Sequence, residues 1–330
     1  MEIALTEWVP ITDLSSVGEA RRRALLVGQR LGFDQTRAGQ LALLVTESSR
    51  NVLVHGGGGD IVVSAMGGDG HPVARILAMD RGPGIANIAQ AMVDGYSTAG
   101  TMGSGMGAMK RVATSLEIFT GRTGTILLLE LGEAAAEEKP RIAGLAVPHP
   151  GERLSGDAWT FHRTDQRVKI LLVDGLGHGH DAADAAREAV AAFHRRVELQ
   201  PGELLGTLHD ALKKTRGAVA AIAEIRPEEG VLIYAGVGNI SAVVLSGGTS
   251  RSLISHNGTL GMVTSRIQEF RAEWPADALL VLHSDGLQSR WDLSSYAGLM
   301  SRHPALIGAT LLRDFRRTRD DASVVVVKAA

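Results

Sequence analysis

The sequence contains no cysteine, few aromatic residues, no long apolar run and no excess of charge of one sign. Without cysteine in its 330 residues the chain has neither disulfide staples nor thiolate metal sites, which fits a reducing compartment. No apolar stretch approaches the length that spans a bilayer, and the opening MEIALTEWVP carries acidic residues where a secretory leader has a basic and then an apolar run. The chain therefore reads as cytoplasmic, with no membrane partner. Its formal net charge is −2 and its lysines and arginines are scattered, so nothing provides an electrostatic footprint for nucleic acid. A protein partner is expected instead. Aromatic residues make up 4% of the chain against 40 glycines, and these glycines cluster in a few loops rather than forming a repeat.

The length exceeds what one hydrophobic core usually serves, which predicts two domains. The small, charged stretch GEAAAEEKP supplies a linker, placed at 136–142 between domains at 1–135 and 143–330. In the first, an extended run is followed by capping residues at Asp13 to Ser16 and a helix ending at Gly32. A second helix begins near Asp34 and stops at the glycines of 56–59. Strands at 61–66 and 73–79 follow, joined by a glycine-rich turn at 67–70; then come a glycine-studded segment, a short helix and a hairpin at 115–131. The second half reads as strands at 144–147, 158–162, 168–173, 218–225, 231–236, 242–245, 279–283 and 323–328, bracketing a helical pair at 181–196 and 202–214. The fold class expected is α/β (α+β), with strands packed against helices in both halves.

Residues that carry chemistry fall in loops and at element ends. On the second helix Glu47, Asn51 and His55 recur at four-residue spacing and form one polar ridge. Downstream, Asp80 opens Asp-Arg-Gly-Pro-Gly-Ile directly after an apolar strand, with Gly82 and Gly84 allowing a tight turn. Gly103, Gly105 and Gly107 alternate at the start of a helix, where exposed backbone N–H groups suit a phosphate. Together with Gly124-Thr125 this ordered set resembles the GHKL (Bergerat) ATPase superfamily, and the phrase from Val93 to Ile118 looks like the RsbT-type switch serine kinases, which act on STAS-domain proteins. No phosphoacceptor-histidine helix pair precedes it. The resemblance implies ATP and Mg2+: Asp80 on the adenine amino group with Thr125 supporting that acid through its hydroxyl or a water, Gly82 and Gly84 around the base, Asn51 on Mg2+, Gly103, Gly105 and Gly107 with Lys110 over the phosphates, and Glu47 accepting the proton of an incoming serine hydroxyl.

In the second half, acidic residues stand at the mouths of strands: Asp157 in SGDAW, Asp174 in LLVDGLGHG, Asp285 in VLHSDGL, and Asp320 or Asp321 in RDDASVVVV. Carboxylates converging from different strands suit two Mg2+ or Mn2+ ions that acidify a water for in-line attack on phosphorus. The pattern resembles the PPM phosphatases of the SpoIIE and RsbX type, with an α/β/β/α sandwich. The resemblance implies Asp157 and Asp174 as catalytic, and Asp157, Asp174, the Gly175 carbonyl, Asp285 and Asp320 as metal ligands, Asp321 taking a place often held by asparagine. His178 and His180 are open to metal or acid roles. The joint expectation is a bifunctional kinase and phosphatase acting on a STAS-domain regulator, a sigma-factor regulator or downstream signalling enzyme among the partners. The alternative is a phosphatase whose ATP-binding domain sequesters a partner or senses nucleotide. Homodimerisation is compatible with this kinase class, although no pattern here carries it.

Overall fold

The computed structural model describes residues 6–66, 72–92, 105–132, 140–264 and 267–329. The expected turn at 67–70, Gly103 and most of the linker at 136–142 lie outside the described residues; Arg141 and Ile142, at the end of that linker, already belong to a strand.

The chain forms two compact units. The first contains strands β1 (Thr6–Ile11), β2 (Gly59–Met66), β3 (Val73–Asp80), β4 (Ser115–Gly121) and β5 (Gly124–Gly132), in the order β1-β2-β3-β5-β4 with every neighbour antiparallel. Helices α1 (Leu14–Arg30) and α2 (Gln35–Val54) pack on this sheet, burying Val17, Ala20, Ala24, Val27, Leu41, Leu44, Val45 and Val52 against alternate residues of the strands. Asp13 caps α1 by accepting from the Ser16 N–H at 2.9 Å, while the Ser16 hydroxyl accepts from the Asp13 N–H. Asp34 caps α2 from the Arg37 N–H at 2.7 Å. Two short helices, α3 (Ile88–Ala91) and α4 (Gly105–Val112), follow β3. The segment Leu293–Ala309 groups with this unit rather than with the second domain that the sequence predicts for it: the His303 N–H donates to Glu117 at 3.3 Å and Tyr296 lies 6.4 Å from Phe119, ring to ring.

The second unit holds two five-stranded sheets. One combines β7 (Asp157–Arg163), β8 (Val168–Gly175), β9 (Ala218–Arg226), β10 (Val231–Val237) and β13 (Phe270–Glu273); the other combines β6 (Arg141–Val147), β11 (Ser241–Ser246), β12 (Thr249–Leu253), β14 (Leu279–His283) and β15 (Ala322–Lys328). Helices α5 (His180–Arg195) and α6 (Pro201–Leu212) cover the first sheet through an alanine-rich face and a row of leucines. The sheets meet closely: a Cβ on Gly144 of β6 would lie 2.3 Å from the indole of Trp159 on β7. A last helix, α7 (Pro304–Phe315), precedes β15; its residues from Thr310 onward group with this unit. Among the described residues no helix is long and apolar enough to cross a membrane.

Candidate functional site

In the first unit, the end of α2 and the turn after β3 are pressed together. A Cβ on Gly82 would meet the His55 carbonyl oxygen at 2.8 Å, and one on Gly84, whose φ is +79°, would meet the Gly121 carbonyl oxygen at 2.3 Å, so only glycine fits the turn. Asp80 closes it: one carboxylate oxygen accepts from the Gly82 N–H at 2.8 Å and from the Thr125 N–H at 3.0 Å. Thr125 thus supports the acid through its backbone N–H rather than through the expected hydroxyl, which is engaged with that of Thr120 at 3.0 Å; Thr120 in turn accepts from the Ile85 N–H at 2.9 Å. Glu47 and Asn51 stand one turn apart on α2. The first residue of α4, Gly105, faces both: its Cβ position lies 3.6 Å from a Glu47 carboxylate oxygen and 3.7 Å from the Asn51 amide oxygen. Behind them α4 is anchored to α2 by the buried Ser48 hydroxyl, 3.3 Å from the Met109 sulfur. Gly107 is buried in this contact and Lys110 is exposed. Glu47 also forms an ion pair with Arg50 at 3.5 Å.

In the second unit, Asp157 and Asp174 are direct cross-strand partners on β7 and β8. Asp157 is buried; its Oδ2 accepts from the Ser284 hydroxyl at 2.6 Å, and its Oδ1 is buried with no hydrogen-bond partner. That orphaned oxygen is a polar atom whose burial costs stability until a cation or proton meets it. Burial pushes the Asp157 carboxyl up to about 7, and burial together with the neighbouring Asp157 pushes Asp174 up to about 10. Asp285 is raised by burial and by Asp320. Asp174, Asp285 and Asp320 line one open cleft of about 440 Å³, with Gly177, Asn239 and Asn257 among the other lining residues. Among the described residues no three such side chains are grouped closely enough to enclose one ion as they stand.

The two neighbouring acids at the start of β15 separate cleanly. Asp320 is exposed and lines the cleft, whereas Asp321 is buried and turned inward, accepting from the His149 N–H at 2.7 Å and the Gly156 N–H at 2.9 Å. A Cβ on Gly286 would stand 2.0 Å from the Asp321 carbonyl oxygen, so the Ser-Asp-Gly turn lies directly on this strand start. Gly175 is packed on α5, where a Cβ would meet the Ala182 carbonyl oxygen at 2.3 Å. His178 is exposed, bonded to Glu152 at 3.1 Å and stacked on His149 at 4.5 Å; His180 pairs with Asp184 at 3.1 Å. Both histidines thus have partners outside the carboxylate set.

Two contributors escape the sequence reading: Ser284, whose hydroxyl holds Asp157, and Asn239, whose amide donates to Asp285 at 2.7 Å. The SDG motif marked the serine's position; nothing local marked Asn239.

Two divalent cations fit this set. Hard carboxylate oxygens, a buried oxygen lacking a donor, and acids forced upward by mutual repulsion are what a divalent ion relieves.

Residues 164–330 match the family described as Stage II sporulation protein E (SpoIIE). A stretch of 108 residues, 33% of this chain and 76% of the relative, is 32% identical to serine/threonine-protein kinase RsbT of Bacillus subtilis (strain 168). Another of 142 residues, 42% of this chain and 69% of the relative, is 28% identical to phosphoserine phosphatase RsbX of the same organism. Among solved structures, a chain from the work on the bacterial stressosome, "a modular system that has been adapted to control secondary messenger signaling", superposes with a TM-score of 0.55 at 27% identity, covering 58% of this chain and all of the other. RsbX in complex with magnesium superposes with a TM-score of 0.52 at 18% identity, covering 66% of this chain and all of the other, a likeness of fold.

Proposed function

Because this chain belongs to the SpoIIE family of metal-dependent protein phosphatases, we propose that it is a two-headed phospho-switch: its first unit transfers phosphate from ATP to a serine or threonine of a STAS-domain regulator, and its second removes that phosphate. The observation that carries the phosphatase half is the cross-strand pair of Asp157 and Asp174 beside a cleft lined by Asp285 and Asp320. Asp157, Asp174, Asp285, Asp320 and the Gly175 carbonyl would hold two Mg2+ or Mn2+ ions, which supply an acidified water and withdraw charge from the phosphoryl group. Ser284 orients Asp157 by donating to it, Asn239 fixes the rotamer of Asp285, and Asp321 ties His149 and Gly156 to the strand that carries Asp320.

The kinase half is supported by the likeness to RsbT and by the meeting of Glu47, Asn51 and Gly105. Asn51 would take Mg2+, Asp80 the adenine amino group, Gly82, Gly84 and Thr125 the space around the base, and Gly103, Gly105 and Gly107 the phosphates. Glu47 is the proton acceptor for the incoming hydroxyl. Its ion pair with Arg50 favours one rival, in which ATP binds without turnover and the unit sequesters its partner or senses nucleotide.

Intact-mass measurement on a STAS-domain protein tests both halves. MgATP is expected to add one phosphate and added Mn2+ to remove it; Glu47→Ala stops only the gain and Asp174→Asn only the loss. ATP binding with no gain on any STAS protein would transfer the first unit to the sequestering reading.

A further inference from the structure

A cleft walled by carboxylates has to accept a phosphomonoester dianion, and Arg216 stands where it is able to do so. Gly177, which lines the cleft with Asp174, Asp285 and Asp320, has a φ of +81°, and its Cβ position lies 3.3, 3.6 and 3.7 Å from Nη1, Cζ and Nη2 of Arg216. The guanidinium thus lies against the glycine at the cleft wall. Its backbone is fixed there: the Leu176 N–H donates to the Gly217 carbonyl at 3.1 Å, and the Gly217 N–H to the Thr215 hydroxyl at 3.0 Å, which itself donates to the Leu212 carbonyl at the end of α6. Among the described residues Arg216 forms no ion pair, whereas Arg187, Arg195, Arg196, Arg226 and Arg313 of the same unit each hold a carboxylate. Arg317, another cation near the cleft, already acts on Asp285.

An arginine held against a glycine of an acid-lined cleft and paired with no carboxylate among the described residues is a cation available to an anion that arrives later. A guanidinium offers parallel N–H donors matched to two phosphoryl oxygens, at an angle a lysine ammonium cannot reproduce. We propose that Arg216 binds the phosphoryl oxygens of the substrate, and of the inorganic phosphate product, at the mouth of the carboxylate cleft; this rests on the phosphatase reading above.

The test uses the full chain with Mn2+, inorganic phosphate as the bound probe and p-nitrophenyl phosphate as the turned-over one. In Arg216→Ala the inhibition constant for phosphate and the KM both rise ~10–100-fold, as expected for loss of a charge-assisted pair, while the Mn2+ half-saturation and the melting temperature stay at wild-type values. Arg216→Lys recovers part of the loss. Wild-type turnover with a phosphate inhibition constant unchanged in Arg216→Ala overturns this role and leaves the phosphatase reading standing. Mn2+-dependent phosphate binding that needs Arg216, in a protein that hydrolyses no phosphomonoester, keeps the anion site and sinks the phosphatase reading. A lowered melting temperature with unchanged phosphate inhibition returns Arg216 to a purely structural part in the loop.

Discussion

Asp157 is sealed from water, yet one of its oxygens is met by Ser284 and the other by nothing. Under the proposed two-ion site the serine positions a metal ligand, and Ser284→Ala is expected to raise the Mn2+ concentration for half-maximal phosphatase activity ~10–100-fold, with the rate at saturating metal less affected. Metal titration of activity reads it out. The adjacent acids at the start of β15 give a sharper contrast. Asp320→Asn is expected to remove most turnover and leave folding intact, because the side chain is exposed and faces the cleft. Asp321→Asn is expected to cost about 1–3 kcal/mol, because its carboxylate serves two backbone donors; equal unfolding midpoints for the two variants would sink this division of labour. From the sequence alone the two were distinguishable only through the family pattern, since adjacent residues differ in facing but not in composition. The same limit applies to Thr125, whose place beside Asp80 was legible while the atom it uses was not.

Elements with strong local signals were read almost to the residue. Asp13 and Asp34 announced α1 and α2, and uninterrupted apolar runs announced β8, β9, β14 and β15. The missed elements include the four-residue helix α3, β12, an exposed polar strand (TSRSL), the four-residue edge strand β13, and α7, whose opening Pro304 reads as a breaker as easily as a helix start. Edge strands owe their form to a neighbour's hydrogen bonds, which sequence periodicity does not carry. Another feature invisible in the sequence is the buried Lys169 of β8. Its ammonium is 3.0 Å from Glu224 on β9 and donates to the carbonyls of Val197, at 2.7 Å, and Leu199, tying the α5–α6 connection to the sheet. Lys169→Met leaves Glu224 buried without that partner and is expected to destabilise the second unit by about 3–5 kcal/mol in urea unfolding. Because Arg226 remains at 2.8 Å from Glu224, the lower end of that range is the expectation.

Taken as a whole, the molecule couples stability to ions. Without metal, Asp157 titrates near 7 in the folded unit and near 3.8 when unfolded, so between those values the native state holds a proton that the unfolded chain has released. Stability conferred below pH 4 is therefore lost progressively as pH rises through 7. Thermal melts in EDTA are expected to show the second unit's transition falling between pH 5 and pH 8, each kcal/mol appearing as about 2–4 °C, and saturating Mn2+ to abolish most of that slope; a flat profile in EDTA would contradict the burial of Asp157 described. The cross-strand register of β7 and β8 adds a consequence. A slip of one residue would turn one of the paired aspartates to the opposite face of the sheet, and a hairpin so misaligned has no pair to offer a cation. At the proposed site, metal uptake would double as an inspection of folding, since only correctly threaded chains would present the pair and gain the ions' protection. With manganese or magnesium scarce, the proposed coupling would leave fewer correctly folded second units as well as slower ones.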